Sequence, residues 1–214
     1  MGFVVAIDGP AASGKGSIAA RLGISLGLPV LDTGLLYRAT AALALKGGGD
    51  LDDPEAAARA ARAIDLEDLG DPALRSRAAG EAASRVAVHE KVRAALIDLQ
   101  RAFAARPSGA ILDGRDIGTV IAPAAHAKLF VTASAQIRAV RRWRQLALAA
   151  ERVSYVEVLT DILRRDARDG ERAAAPMRSA PDAVLLDTTD LDIDAAFDAA
   201  RRVVEAARDR WEQS

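Results

Sequence analysis

Five short, almost uniformly apolar runs stand out along the chain: Phe3–Ile7 (FVVAI), Pro29–Leu31 (PVL), Ala110–Leu112 (AIL), Lys128–Val131 (KLFV) and Ala183–Leu186 (AVLL). Runs of this length without polar alternation predict buried strands of a parallel sheet. Nearly all are followed by Asp, Gly or Thr, the pattern expected where strands emerge at a ligand-facing edge. Helical periodicity fills the intervals. Gly14–Leu26 opens directly from a glycine-rich loop. Near the end, Ile193, Phe197, Ala200, Val204, Ala207 and Trp211 recur at three- and four-residue steps behind Asp192, which predicts a helix capped by that carboxylate. Strands alternating with helices give an α/β fold with a doubly wound parallel sheet, whose ligands bind beyond the carboxyl ends of the strands.

Two segments break the alternation. Residues 35–107 separate the second and third runs by far more chain than one crossover helix requires. They predict several helices, with turns at Gly47-Gly48-Gly49 and Gly70-Asp71-Pro72. The second is Glu151–Arg172, helical in pattern but too charged for a core element. With no repeat or low-complexity linker, residues 1–214 read as a single domain. Its core comprises 1–34, 108–150 and 173–214, and the two odd segments are insertions.

Composition narrows what such a fold can do. Basic and acidic residues number 29 and 30, a net charge of −1, so no bulk field draws the protein toward nucleic acid or an anionic membrane. No apolar stretch approaches a membrane span, and no secretory leader pattern opens the sequence. The absence of cysteine excludes disulfides, thiolate catalysis and cysteine-based zinc sites, in keeping with a cytoplasmic setting. Half the residues are hydrophobic but only 4 % are aromatic, so alanine must fill much of the core and helices should pack closely.

Four motifs carry candidate chemistry. Gly9-Pro10-Ala11-Ala12-Ser13-Gly14-Lys15-Gly16-Ser17 follows the first strand and opens the first helix. Its glycines supply a pliant backbone whose N–H groups can face phosphate oxygens, and the helix dipole and Lys15 add positive charge. Gly16 stands where the strict phosphate-loop pattern has a Mg²⁺-binding Ser or Thr. The second motif, Asp32-Thr33-Gly34-Leu35-Leu36-Tyr37-Arg38, puts Thr33 at a helix start as a candidate cap. It puts Arg38 one turn in, facing the same edge as the loop. The third, Asp113-Gly114-Arg115-Asp116, offers two carboxylates and an arginine at a strand end. The fourth, from Arg164 to Arg172, admits a solvated helix with an Arg165–Asp169 ion pair. Beside a phosphate loop, however, Arg165, Arg168 and Arg172 read better as a mobile arginine lid. The histidines, His89 and His126, have no metal-ligand spacing, and Trp143 and Trp211 suit helix packing.

Taken together, GPAASGKGS, DTGLLYR, EAASRVAVHEKVRAAL, LDGRDIGTV and RRDARDGERAAAP resemble, in order, the bacterial cytidylate kinase family. The resemblance implies a P-loop nucleoside-monophosphate kinase fold: a five-stranded parallel sheet flanked by helices, an insertion that binds the monophosphate, and a helical lid. It implies transfer of phosphate from ATP to CMP or dCMP with Mg²⁺, by a cytoplasmic protein that is a monomer. Gly9 to Ser17 would wrap the ATP phosphates. Lys15, Arg115, Arg165 and Arg172 would act on the transferring group. Thr33, Ser84, Arg93, Arg115 and Asp116 would hold the monophosphate and its cytosine, with Arg38 and Arg115 at the acceptor phosphate. Arg165 and Asp169 would reach the ribose, and Arg172 would close from the lid. No direct protein ligand to Mg²⁺ is implied; Asp32 or Asp113 would act through water. Family members typically carry G-K-G-[ST], which accounts for Gly16. The stretch between Leu66 and Arg75 is shorter than the family's strand-containing piece. Rival readings are another small P-loop kinase, acting on a different monophosphate or on shikimate or gluconate with Asp32 or Asp113 as base, and a non-catalytic nucleotide-binding module. A guanine-reading N-K-x-D segment is absent, which argues against a GTPase-like switch.

Overall fold

The computed structural model describes residues 2–214; Met1, the first residue of the expected core, lies outside the described residues. Five strands, β1 (Val4–Asp8), β2 (Val30–Asp32), β3 (Ala110–Gly114), β4 (Ala127–Thr132) and β5 (Val184–Asp187), form one parallel sheet in the order β2-β3-β1-β4-β5. All five expected strands are present. Most extend past the apolar run, so that Asp8, Asp32, Asp113 and Asp187 are themselves strand residues. One expectation fails in part. The outer strands are not fully buried, since Val30 is 37 % exposed on β2 and Leu185 is 64 % exposed on β5. Edge position, which short apolar runs do not reveal, accounts for both.

Alternation along β1 divides the core. Val4 and Ala6 face a helical layer made by α2 (Thr33–Lys46), α3 (Pro54–Arg62), α4 (Arg77–Val86) and α5 (Glu90–Ala104). Phe3, Val5 and Ile7 face α1 (Lys15–Leu26) and α8 (Ile193–Glu212) on the other side. Alanines supply much of the contact surface of α3 and α8, as the composition requires. Asp192 caps α8 by accepting the Ala195 N–H, and the buried stripe runs Ala196, Ala200, Val204, Ala207. Ile193, expected on that stripe, is largely exposed because the helix begins before it reaches the sheet. Trp211 does pack, against Phe3 and His126, while Trp143 is partly exposed and donates its indole N–H to the Val153 carbonyl.

Residues 35–107 form several helices joined by turns, as expected. The short stretch near 66–75 forms two 3₁₀ turns, Leu66–Gly70 and Pro72–Arg75. The charged segment after α6 (Ala135–Leu148) becomes α7 (Tyr155–Glu171), started by a reciprocal Ser154–Glu157 capping box. It is less solvated than its charge suggests. Val158 and Ile162 pack against Ala139 and Leu146 of α6, and Asp169 and Arg172 are buried.

Candidate active site

Parallel register brings the ends of β1, β2 and β3 side by side, pairing Asp32 with Asp113 and Asp8 with Gly114. The loop from Gly9 to Gly14 rises from the central strand of this edge. Gly9 adopts φ +141°, and a Cβ there would collide with the Val131 carbonyl. Gly14 adopts φ +95° just before α1, and Ala12 occupies the left-handed region at φ +60°, a conformation seldom held by a residue with a side chain. Gly16 differs from the expectation of a pliant backbone. It is an ordinary helical residue, and its role is close approach: a Cβ would lie 3.2 Å from Asp113 Oδ2.

Lys15 turns back into the loop. Its Nζ donates to the Pro10 carbonyl at 3.4 Å and lies 3.6 Å from Asp113 Oδ1. Burial lowers the lysine from its ordinary range, and Arg115 pushes the same way; burial also raises the Asp113 carboxyl. Asp32, rather than Thr33, caps α2, accepting the Gly34 N–H at 3.0 Å. Thr33 instead donates its hydroxyl to the Asp113 carbonyl at 2.8 Å, tying β2 to β3 at the site. Arg38 donates to the carbonyls of Leu74 and Ser76, so the shortened 66–75 stretch anchors it. Lys15, Gly16, Asp32, Arg38, Asp113, Arg115 and Arg165 line a common cleft of about 240 Å³. Burial, then the Arg115 guanidinium, lowers Arg165 to about 10, a sign of crowded positive charge.

A smaller cavity of about 30 Å³ adjoins it, sharing Arg115 and Arg165, and is lined by Thr33, Ser84, Arg93, Asp116, Asp169 and Arg172 among others. Here cations and carboxylates pair with one another. Asp116 accepts from Arg93 and, at 3.4 Å, from Arg172; Asp169 accepts from Arg115 at 3.0 Å and lies 3.8 Å from Arg165. Burial pushes the Asp169 carboxyl up, but Arg115, Arg165 and Arg172 outweigh it and hold it below its ordinary value. The Ser84 hydroxyl and the Arg165 Nε are buried without a hydrogen-bond partner among the described residues, and both groups belong to this cavity. Arg168, the remaining lid arginine, is occupied elsewhere with Glu81 at 2.6 Å.

A third cavity lies on the outer side of the loop, lined by Ser13, Gly14, Ser17, Arg141, Thr188 and Asp192 among others. Ser17 therefore faces away from the cleft that holds Lys15. Sequence reasoning missed four residues that frame these spaces. Arg141 donates to Thr188 and Leu191, and Thr188 Oγ1 donates to the Ser13 carbonyl. Arg138 donates to the Ala11 carbonyl and makes a bidentate pair with Asp166 of α7, at 3.1 and 2.6 Å. Asp8 accepts the amides of Ile117 and Gly118, each at 2.8 Å, and burial raises its carboxyl to about 6 despite them. The cluster RAVRRWR after the fourth strand was a legible signal for the two arginines. Asp8 gave none, since its partners are backbone amides far along the chain.

The donor set also bears on a metal. No group of three or more His, Cys, Asp or Glu side chains converges as a metal site among the described residues. Asp32 and Asp113 stand together in the main cleft, which suits a hard cation bound by phosphate oxygens and water and steadied through that water by the two carboxylates.

Comparison with known proteins agrees with this architecture. The family model described as cytidylate kinase matches residues 5–206. A cytidylate kinase of Caulobacter vibrioides is 63 % identical over 210 residues, covering 98 % of this chain and 99 % of that protein. A cytidylate kinase of Methylocella silvestris is 60 % identical over 207 residues, covering 97 % and 96 %. Among solved structures, an uncharacterized protein from Eubacterium ventriosum shares the fold, with TM-score 0.56 at 12 % identity, covering 95 % of this chain and 98 % of that one. With its P-loop, paired arginines and carboxylates, and near-full-length relatives, the chain belongs to the cytidylate kinase family.

Proposed function

We infer that this protein transfers the γ-phosphoryl group of ATP to CMP or dCMP, giving ADP and CDP or dCDP. The observation that carries the reading is the small cavity where Ser84, Arg93 and Asp116 meet beside the cleft that holds Lys15. Cytosine presents an amino donor next to ring acceptors, so a carboxylate and a guanidinium side by side complement its edge. Uracil reverses that donor and acceptor at the same atoms and would face like against like. Residues 35–107 act as the monophosphate-binding insertion and 151–172 as the lid.

In the assigned roles, Gly9 to Ser17 wrap the ATP phosphates and Lys15 leaves Asp113 for the transferring group. Arg38 and Arg115 grip the acceptor phosphate, Thr33 supports it, Arg165 and Asp169 meet the ribose, and Arg172 closes the cavity. An acceptor phosphate oxygen forms the new P–O bond as the bond to the β,γ-bridging oxygen breaks, and ADP leaves. That oxygen is already an anion, so no general base is needed; positioning and charge neutralisation carry the step. Bound Mg²⁺, steadied through water by Asp32 and Asp113, would neutralise phosphate charge. All these groups come from one chain, so a monomer suffices, acting in the cytoplasm on dissolved nucleotides.

A coupled ADP-release assay over a panel of acceptors tests the reading. Rapid turnover is expected with CMP and dCMP, much slower turnover with AMP, and none with shikimate or gluconate. Equal turnover on AMP, or none on any pyrimidine monophosphate, would defeat it.

A further inference from the structure

Asp8 lines neither the main cleft nor the small cavity, yet it is the last residue of the central strand and immediately precedes Gly9. Both of its oxygens are committed, Oδ1 to the Ile117 amide and Oδ2 to the Gly118 amide, each at 2.8 Å. Those amides open the single wide turn Ile117–Ile121. Being first in the turn, they have no upstream carbonyl of their own. The residue before them is Asp116, at φ −145° and ψ 25°, the point where the chain leaves β3 and changes direction. Asp116 then meets Arg93 and Arg172, while Arg115 reaches Asp169.

The carboxylate that holds this corner has no cation partner among the described residues. Asp116 and Asp113 add repulsion to the burial that already raises its carboxyl. Lys128, on β4, approaches Gly118 with its methylenes, but its ammonium goes to Asp182 and the Pro123 carbonyl. Burying an unpaired carboxylate works against stability, so its effect lies in what it orders. It supplies two acceptors in fixed directions.

We propose that Asp8 is a positioning residue for the acceptor nucleotide: by clamping the amides of Ile117 and Gly118 it holds Arg115 and Asp116 in the shape that receives the base and phosphate. The inference rests on the acceptor-site reading above.

Asp8→Asn tests it with almost no change in volume. Asparagine offers one acceptor and one NH₂, so one of the two amides faces a donor and loses its partner. The KM for CMP should rise roughly tenfold, the effect of one unpaired buried donor, while the KM for ATP stays within about twofold. An unchanged KM for CMP, or an equal rise in both KM values, would overturn the proposal. Should the variant fail to fold, the wild-type protein suffices: the Ile117 and Gly118 amide resonances should titrate together with a midpoint of about 6. Saturating CMP should abolish that titration and ATP alone should not; a titration indifferent to CMP would overturn the idea. Wild-type turnover on CMP in the same assay separates this outcome from failure of the acceptor reading itself.

Discussion

Lys15 is held at the first turn of α1 between the Pro10 carbonyl and Asp113, in surroundings that weaken its hold on the proton. A group so placed is stabilised by any phosphate that joins it, because the phosphate restores the charge balance that burial disturbs. Lys15→Ala should therefore lower turnover at least about a hundredfold, the scale seen when one preorganised transition-state contact is removed. CMP binding should stay measurable by calorimetry, because Arg38, Arg93 and Asp116 are untouched. Residues proposed to touch ligand were the more legible in the sequence, since their types and spacing carry the chemistry. Residues that touch only backbone were not. Thr33 looked like a cap, yet its hydroxyl serves the Asp113 carbonyl, and Asp8 looked like the tail of a hydrophobic run.

Among the elements, α7 is fastened by a small apolar cluster and a set of ion pairs. Its apolar attachment is Val158 and Ile162 against α6, a far smaller cluster than those on either face of the sheet. Ion pairs do the remainder: Arg77 with Asp161, Arg138 with Asp166, Arg168 with Glu81. Such an element opens locally before the core unfolds. Backbone amides of residues 155–171 should exchange with deuterium faster than those of β1 and β3, and ATP with CMP should slow them; equal protection of helix and sheet would contradict this. Charge alone led the sequence to describe α7 as outside any core. Its i,i+4 spacing of Val158 and Ile162 was the overlooked signal. Conversely, the five strands and the helical insertion were visible because apolar run length and turn residues act locally. Which strands become edges is a matter of topology, and no local pattern contains it.

At the scale of the molecule, the nearly neutral chain hides a strongly unequal distribution of charge. Lys15, Arg38, Arg115 and Arg165 crowd one cleft, and burial, with repulsion from neighbouring guanidiniums, lowers Arg38 and Arg165 to about 10. Polyphosphate ligands should relieve this. ATP with CMP at about a hundred times their dissociation constants stabilises by about 2.7 kcal/mol per site. For a chain of this size that corresponds to a rise in Tm of roughly 5–10 °C per ligand, measurable by differential scanning fluorimetry. Cytidine, which lacks the phosphate, should give a smaller shift, and equal shifts would contradict the charge argument. The small cavity has a further consequence, for the company this protein keeps. Its arginines are turned inward, with Arg93 and Arg172 on Asp116 and Arg115 on Asp169. Guanidinium groups already held by internal carboxylates offer less free charge to the phosphates of an RNA strand. A free mononucleotide would have to displace those carboxylates and widen the cavity to enter. The same pairing should thus weaken capture of this arginine-rich protein by polymers built from its own product.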